Sequence, residues 1–230
     1  EIGIAGASWN ARIMPIKVMQ STGSGNSTDI AAGIMFAANN GATVINLSLG
    51  SYAESSIMLS ALENAYATSA IVASAGNNGI KIGPCPPPEV CNPHYPSAYS
   101  FVIGVEDSPK PDLGYTNWDQ DGPVFSGYGN LLNYEVTTPG TGILSTVPNG
   151  GYAQLTGTSM AAPVMSACVA LYQELKPEHS QELMFGSFIN TSDADYVNML
   201  SVIESEPTPQ LQVISATFRD TIAGQNGNGY

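Results

Sequence analysis

At 230 residues the chain can form one large domain with a sizeable core, or one domain and part of a second. Its 6 Lys and Arg stand against 19 Asp and Glu, and the formal net charge of -13 repels nucleic acid and anionic membrane surfaces at long range, which excludes both as expected partners. With 43% hydrophobic residues the composition is that of a globule; no run approaches a membrane span and no signal-peptide pattern opens the chain, so any targeting segment would lie ahead of Glu1.

Ala11 to Met19 reads as a buried strand interrupted by Pro15, which favours a strand start or an edge. After the loop from Ser21 to Asn26, Ser27-Thr28-Asp29 offers caps to a helix over Ile30 to Asn39, with Ile30, Ile34, Met35 and Ala38 on one face and Asn40-Gly41 as its stop. Val44 to Gly50 is a second strand, apolar almost throughout, as when helices cover both faces of a parallel sheet. Ile57 to Thr68 is the next amphipathic helix, and Ala70 to Ala75 a third strand ending at Gly76-Asn77-Asn78-Gly79. This alternation predicts an α/β fold: right-handed crossovers and a mostly parallel sheet with helices on both faces. Chemistry in such sheets collects at the strands' carboxyl ends, here Ser48-Leu49-Gly50 and Gly76-Asn77.

Cys85 and Cys91 bracket a proline-rich loop, a spacing that suits a local disulfide and hence an oxidising, extracellular compartment. Cys168, inside an alanine-rich run, reads as a buried free thiol. Further strands are expected over Tyr99 to Val105 and Glu135 to Thr138. Between them lies an excursion carrying Asp107, Asp112, Asp119 and Asp121, readable as a solvated acidic loop or as oxygen ligands for Ca²⁺. The Pro148-Asn149-Gly150-Gly151 turn then leads to a loop feeding a helix over Ala161 to Leu175. Ser159 falls in the first turn, where unpaired N–H groups and the helix dipole favour developing negative charge, and Pro163 is placed there as a residue whose missing N–H would lack a partner. Pro177 ends this helix and His179 to Asn190 makes another. Residues 1–206 thus read as one domain, and 207–230, with an alternating run from Gln210 to Phe218, as a linker and the start of a following β-rich domain or tail.

Gly157-Thr158-Ser159-Met160-Ala161-Ala162-Pro163 resembles the nucleophile motif of the subtilisin-like serine proteases. The resemblance runs from about Gly3 to Asn190: Ala75-Gly76-Asn77, Ile16 to Met19, Val44 to Gly50 and Thr138-Pro139-Gly140 all match family segments in the right order, which is more specific than one heptapeptide. It implies a three-layer α/β fold and a serine endopeptidase with Ser159 as nucleophile and Asn77 in the oxyanion hole. It further implies that Gly23-Ser24-Gly25 and Ser48-Leu49-Gly50 sandwich an extended polypeptide substrate as an added strand. The pocket for the residue before the cut would be walled by Ser48 to Gly50 and by Ser74, Ala75, Gly76 and Asn77, with His94 at its base. As a sequence feature alone, His94 reads rather as a surface-loop histidine. No cofactor is implied, though relatives of this kind often bind structural calcium.

The chain departs from the family pattern where it matters most. A serine needs a base to take its proton and a carboxylate to orient that base, yet neither the family's Asp-Ser/Thr-Gly nor its His-Gly-Thr motif is present. Of the two histidines, His179 reads as a surface or capping position, and Asp220-Thr221-Ile222 follows the serine, in the wrong order. The expected partner is therefore an amino-terminal segment carrying Asp and His, without which the isolated chain is inactive. The rival readings are a non-catalytic descendant of the same fold and an esterase; the latter requires Gly-x-Ser-x-Gly, which Ala161 breaks.

Overall fold

The computed structural model describes residues 3–78, 93–99, 101–108, 134–191 and 199–204. The Cys85 and Cys91 pair, Asp112, Asp119 and Asp121 of the acidic excursion, and the segment 207–230 lie outside these residues.

Four strands form a parallel sheet in the order β1 (Val44–Leu47), β2 (Ala70–Ser74), β3 (Ile103–Ser108), β4 (Tyr134–Pro139). Two helices precede β1 and β2: α1 (Ser27–Asn39) and α2 (Ser56–Tyr66). After β4 come an antiparallel hairpin of β5 (Ile143–Val147) and β6 (Gly151–Leu155), then α3 (Thr158–Leu175), α4 (Gln181–Thr191) and α5 (Met199–Glu204).

The period-two alternation of the strands divides the interior into two cores. Ile45, Leu47, Ile71 and Ala73 point to α1 and α2, where Leu62 and Ala65 are fully buried. Ala70, Val72, Ile103, Val105 and Val136 point to the opposite face, against Ala161, Met165 and Val169 of α3 and Met184 and Phe188 of α4. The three layers predicted from the near-continuous apolar strands are therefore present, with every residue of β2 buried.

Several boundaries differ from expectation for local reasons. Asn26 caps α1, its Oδ1 accepting from Asp29 N at 2.8 Å, so Ser27 to Asp29 lie within the helix. Strand β3 begins four residues later than predicted because turns consume the preceding donors: Tyr99 N donates to Pro96 O at 3.0 Å and Val102 N to Tyr99 O at 2.9 Å. The β5–β6 hairpin was legible only as its turn.

The largest correction concerns Ala11 to Met19, which joins no ladder among the described residues. Pro15 removes a donor, and Ile16, Val18 and Met19 instead pack against the α1 and α2 core as an extended segment. Gly33 permits that approach, since a Cβ there would collide with Val18 Cγ1.

Tyr172 of α3 joins the last elements: its buried hydroxyl meets His179 Nδ1 at 2.7 Å and Ser187 Oγ at 2.9 Å. His179, expected at the surface, is drawn inward by this contact and its side chain is 13% exposed. Tyr172→Phe should lower stability by about 1–2 kcal/mol, because polar groups selected to meet that hydroxyl lose it without gaining water; a reduced urea midpoint at unchanged m-value would register the loss.

Candidate active site

The carboxyl ends of β1 and β2 meet the amino end of α3, and the residues there bond to one another more than to their own elements. Asn77 follows β2 at an exposed position. Its Oδ1 accepts from Thr158 N at 2.9 Å and Thr158 Oγ1 at 3.0 Å, and Thr158 Oγ1 accepts from Gly76 N at 3.1 Å. With Oδ1 held by two donors, Nδ2 is the remaining polar atom of the amide, and it can only donate.

Gly157, just before α3, makes this approach possible. Its φ of 145° lies where only glycine is comfortable, and a Cβ there would stand 3.2 Å from Asn77 Oδ1. Its N–H donates to Gly140 O at 3.0 Å, tying the helix start to the end of β4.

The first N–H groups of α3 can be assigned in turn. That of Thr158 goes to Asn77, and those of Met160 and Ala161 go to Gly157 O at 2.9 and 3.3 Å. The Ser159 N–H has no partner among the described residues, and Ser159 itself is half-buried.

The helix starts at Thr158, so Pro163 stands in its second turn, one turn deeper than the sequence suggested. An interior proline withholds the i→i−4 bond, here the one Ser159 O would accept. That carbonyl accepts instead from Ser48 Oγ at 2.8 Å. Ser48 Oγ in turn accepts from Asn46 Nδ2 at 3.0 Å, and Asn46 Oδ1 accepts from Ser166 Oγ at 3.0 Å. A polar chain thus runs from α3 through β1 back to Ser159.

His94 is buried at 7% exposure, not at the surface. The main chain pairs Ser51 with Tyr95 through two bonds of 2.8 Å, which brings the His94 ring onto Gly50. A Cβ at Gly50 would lie 2.7 Å from His94 Nε2. The ring also packs edge-on to Tyr52 at 5.2 Å, meets Ser97 Oγ through Nδ1 at 3.3 Å, and interacts with the Ser74 backbone. It therefore sits between the segment after β1 and the end of β2. Burial holds its pKa below the ordinary 6.5, partly offset by the Ser74 interaction.

Of the residues singled out in the sequence, Ser48, Gly76, Asn77 and Ser159 form one cluster, and Gly50 and Ser74 meet His94 beside it. Leu49 links the two, and Ala75 is buried beneath them. Gly23, Ser24 and Gly25 instead close their own turn, with Gln20 N donating to Ser24 O at 2.8 Å and Gly25 packed on Met19. Sequence reasoning quoted Thr158 without giving it a role and passed over Asn46 and Ser166; only Thr158, adjacent to the serine, carried a signal. Cys168 is the expected free thiol, with burial pushing its pKa up to about 11. Among the described residues no three His, Cys, Asp or Glu side chains gather as a metal site.

The model of the subtilase family, peptidase S8, matches residues 1–219. The chain is 34% identical to alkaline elastase YaB of Bacillus sp. (strain YaB) over 192 residues, covering 83% of this chain and 46% of that protein. With thermitase of Thermoactinomyces vulgaris it shares 37% identity over 170 residues, 74% of this chain and 54% of the relative. The chain thus spans about half the length of these relatives. Among solved structures, a protease of Pseudoalteromonas arctica superposes with a TM-score of 0.71 at 24% identity, over 87% of this chain and 65% of that one, a likeness of fold.

The depressed pKa of His94 gives stability a pH dependence of definite sign. Below about 6.5 the unfolded chain takes up a proton that the folded ring resists, so stability falls as pH drops through and below that value, while above it His94 contributes no slope. Urea midpoints measured between pH 7.5 and 5 should fall less steeply for His94→Gln than for the unsubstituted chain.

Proposed function

This chain belongs to the subtilase family, and on that premise we propose that it is the nucleophile-bearing part of a serine endopeptidase. Ser159 Oγ attacks the scissile carbonyl; the oxygen of the tetrahedral intermediate takes hydrogen bonds from Ser159 N–H and Asn77 Nδ2; the amine leaves with a proton, and water releases the acyl group from Ser159. The observation that carries this reading is the pair of hydrogen bonds that Thr158 donates to Asn77 Oδ1, which leaves the Nδ2 end of the amide as the donor.

Both histidines are engaged elsewhere, His94 on Ser97 and Gly50 and His179 on Tyr172. The base and its carboxylate are therefore assigned to a segment of the parent polypeptide ahead of Glu1. Without them the chain is effectively inactive: in subtilisin, loss of the base costs on the order of a million-fold, leaving roughly a thousand- to ten-thousand-fold over water.

The substrate is an extended polypeptide, bound by main-chain hydrogen bonds along Ser48-Leu49-Gly50 and Gly23-Ser24-Gly25, with the side chain before the cut entering between Ser48 to Gly50 and Ser74 to Asn77. His94, lying on Gly50, shortens that pocket and favours a small residue. The enzyme is assigned to the extracellular space, with Cys85 joined to Cys91, and needs no cofactor for the chemistry.

A fluorophosphonate probe tests this directly. The parent including residues ahead of Glu1 should label and the 230-residue chain should not, with Ser159→Ala abolishing the signal; a folded parent that fails to label would make the fold a non-catalytic binding module. In the parent, Asn77→Ala should lower kcat roughly a hundred- to a thousand-fold with KM little changed, the range seen when the equivalent donor is removed from subtilisin. His94→Gly should raise kcat/KM for a substrate with phenylalanine before the cut, relative to alanine, by roughly tenfold or more.

A further inference from the structure

We propose that Asn46 is a positioning residue for Ser159, orienting it through the Ser48 hydroxyl and the Ser159 carbonyl. This rests on the reading of Ser159 as the nucleophile and adds to it a group that acts only through others.

Asn46 stands where the alternation of β1 calls for an apolar side chain. Ile45 and Leu47 turn to the core of α1 and α2, while Val44 packs against the core under α3. Asn46 and Ser48 therefore share the α3 face with Val44. On α3, Ser159 and Ser166 are about two turns apart and lie on one side of the helix. The two pairs meet, Asn46 Oδ1 with Ser166 Oγ at 3.0 Å and Ser48 Oγ with Ser159 O at 2.8 Å.

The direction of each proton along this chain follows from Pro163. Its missing N–H leaves Ser159 O, which can only accept, to the Ser48 hydroxyl. With its single proton so placed, Ser48 Oγ has to accept from Asn46, and that requires the Nδ2 end of the amide, at 3.0 Å. Oδ1 is then left facing Ser166 Oγ and takes a donated proton. The same hydroxyl lies 3.0 Å from Ala162 O, so Asn46 shares that proton with the helix backbone. Position 46 thus joins a hydroxyl that must accept to one that must donate, which an amide can do and a carboxylate, having no proton, cannot.

The consequence reaches the oxyanion donor through the backbone. Asn77 Oδ1 holds the Thr158 N–H at 2.9 Å, and Ser48 holds the Ser159 carbonyl. The planar peptide that carries the Ser159 N–H lies between these two and cannot rotate without turning one of them out of its bond. Asn77 ties this turn to the end of β2; Asn46, by fixing the Ser48 proton, ties it to β1.

Substitution at 46 separates this role from packing, because the best isostere has the wrong protons. Asn46→Asp offers Ser48 an acceptor and draws its proton off Ser159 O, whereas Asn46→Ala leaves that proton where it is. In the parent, Asn46→Asp should lower kcat roughly ten- to a hundredfold with KM unchanged, as a misplacement of about 1 Å at a reacting group can do. Asn46→Ala should cost less, and Asn64→Asp on the exposed side of α2 should cost nothing. Adding Asn46→Asp to Ser48→Ala should bring no further loss, since the hydroxyl through which it acts is gone. Independently of turnover, Asn46→Asp should move the carbon-13 resonance of the Ser159 carbonyl upfield, as expected for a carbonyl that loses its donor, in both the parent and the 230-residue chain. Losses that multiply in the double variant, or a larger loss with alanine than with aspartate, would overturn the proposal. An unmoved carbonyl resonance would overturn it even in an active parent. A moved resonance in a parent that cleaves no peptide would uphold the orientation of Ser159 by Asn46 and sink the endopeptidase reading.

Discussion

Two hydrogen bonds from Thr158 to Asn77 Oδ1 fasten the amino end of α3 to the carboxyl end of β2, and the geometry around Ser159 depends on that fastening. They satisfy one of the helix's unpaired donors with a side chain from another element, where a helix of this kind would ordinarily use its own capping residue. Gly157 cannot cap with a side chain, and its absence of one is what lets Asn77 come close. The helix start is thereby set by the sheet, which is rigid, and not by its own loop.

Ser159 is held from the other side by the consequence of Pro163. A proline in the second turn ordinarily costs a helix about 3 kcal/mol or more. Here the carbonyl it releases accepts from Ser48 Oγ, so the helix defect becomes a tie to β1. Thr138 Oγ1 adds a third tie, donating to Ala161 O at 2.8 Å from β4. The serine therefore stands where β1, β2 and β4 all bond to one turn of α3.

Much of this was legible in the sequence, and the reasons differ by element. The parallel sheet was readable because Val44 to Leu47 and Ala70 to Ser74 are apolar but for Asn46 and Ser74, the near-continuous pattern of strands covered by helices. The serine, Asn77 and the Ser48 segment were readable from motifs. What failed depended on tertiary partners. Ala11 to Met19 has a strand's composition, but a strand is defined by its neighbour, and it has none among the described residues. His94 looked like a loop residue because nothing local announces that Ser51 and Tyr95 pair and press its ring onto Gly50. Pro163 was misplaced by one turn because the apolar run that marks the helix begins three residues after the helix does.

The alternation of β2 between two cores constrains how this fold can vary. Ala70 and Val72 face one core while Ile71 and Ala73 face the other, and a shift of one residue exchanges the two sets. An inserted or deleted residue within β2 would thus present each core with side chains shaped for its opposite and would rotate Asn77 away from Thr158. Length variation has to be taken up elsewhere, in exposed connections such as Pro148 to Gly150, so variants of this chain are free to change the approach to the site but not the length of the strand that delivers Asn77 to it.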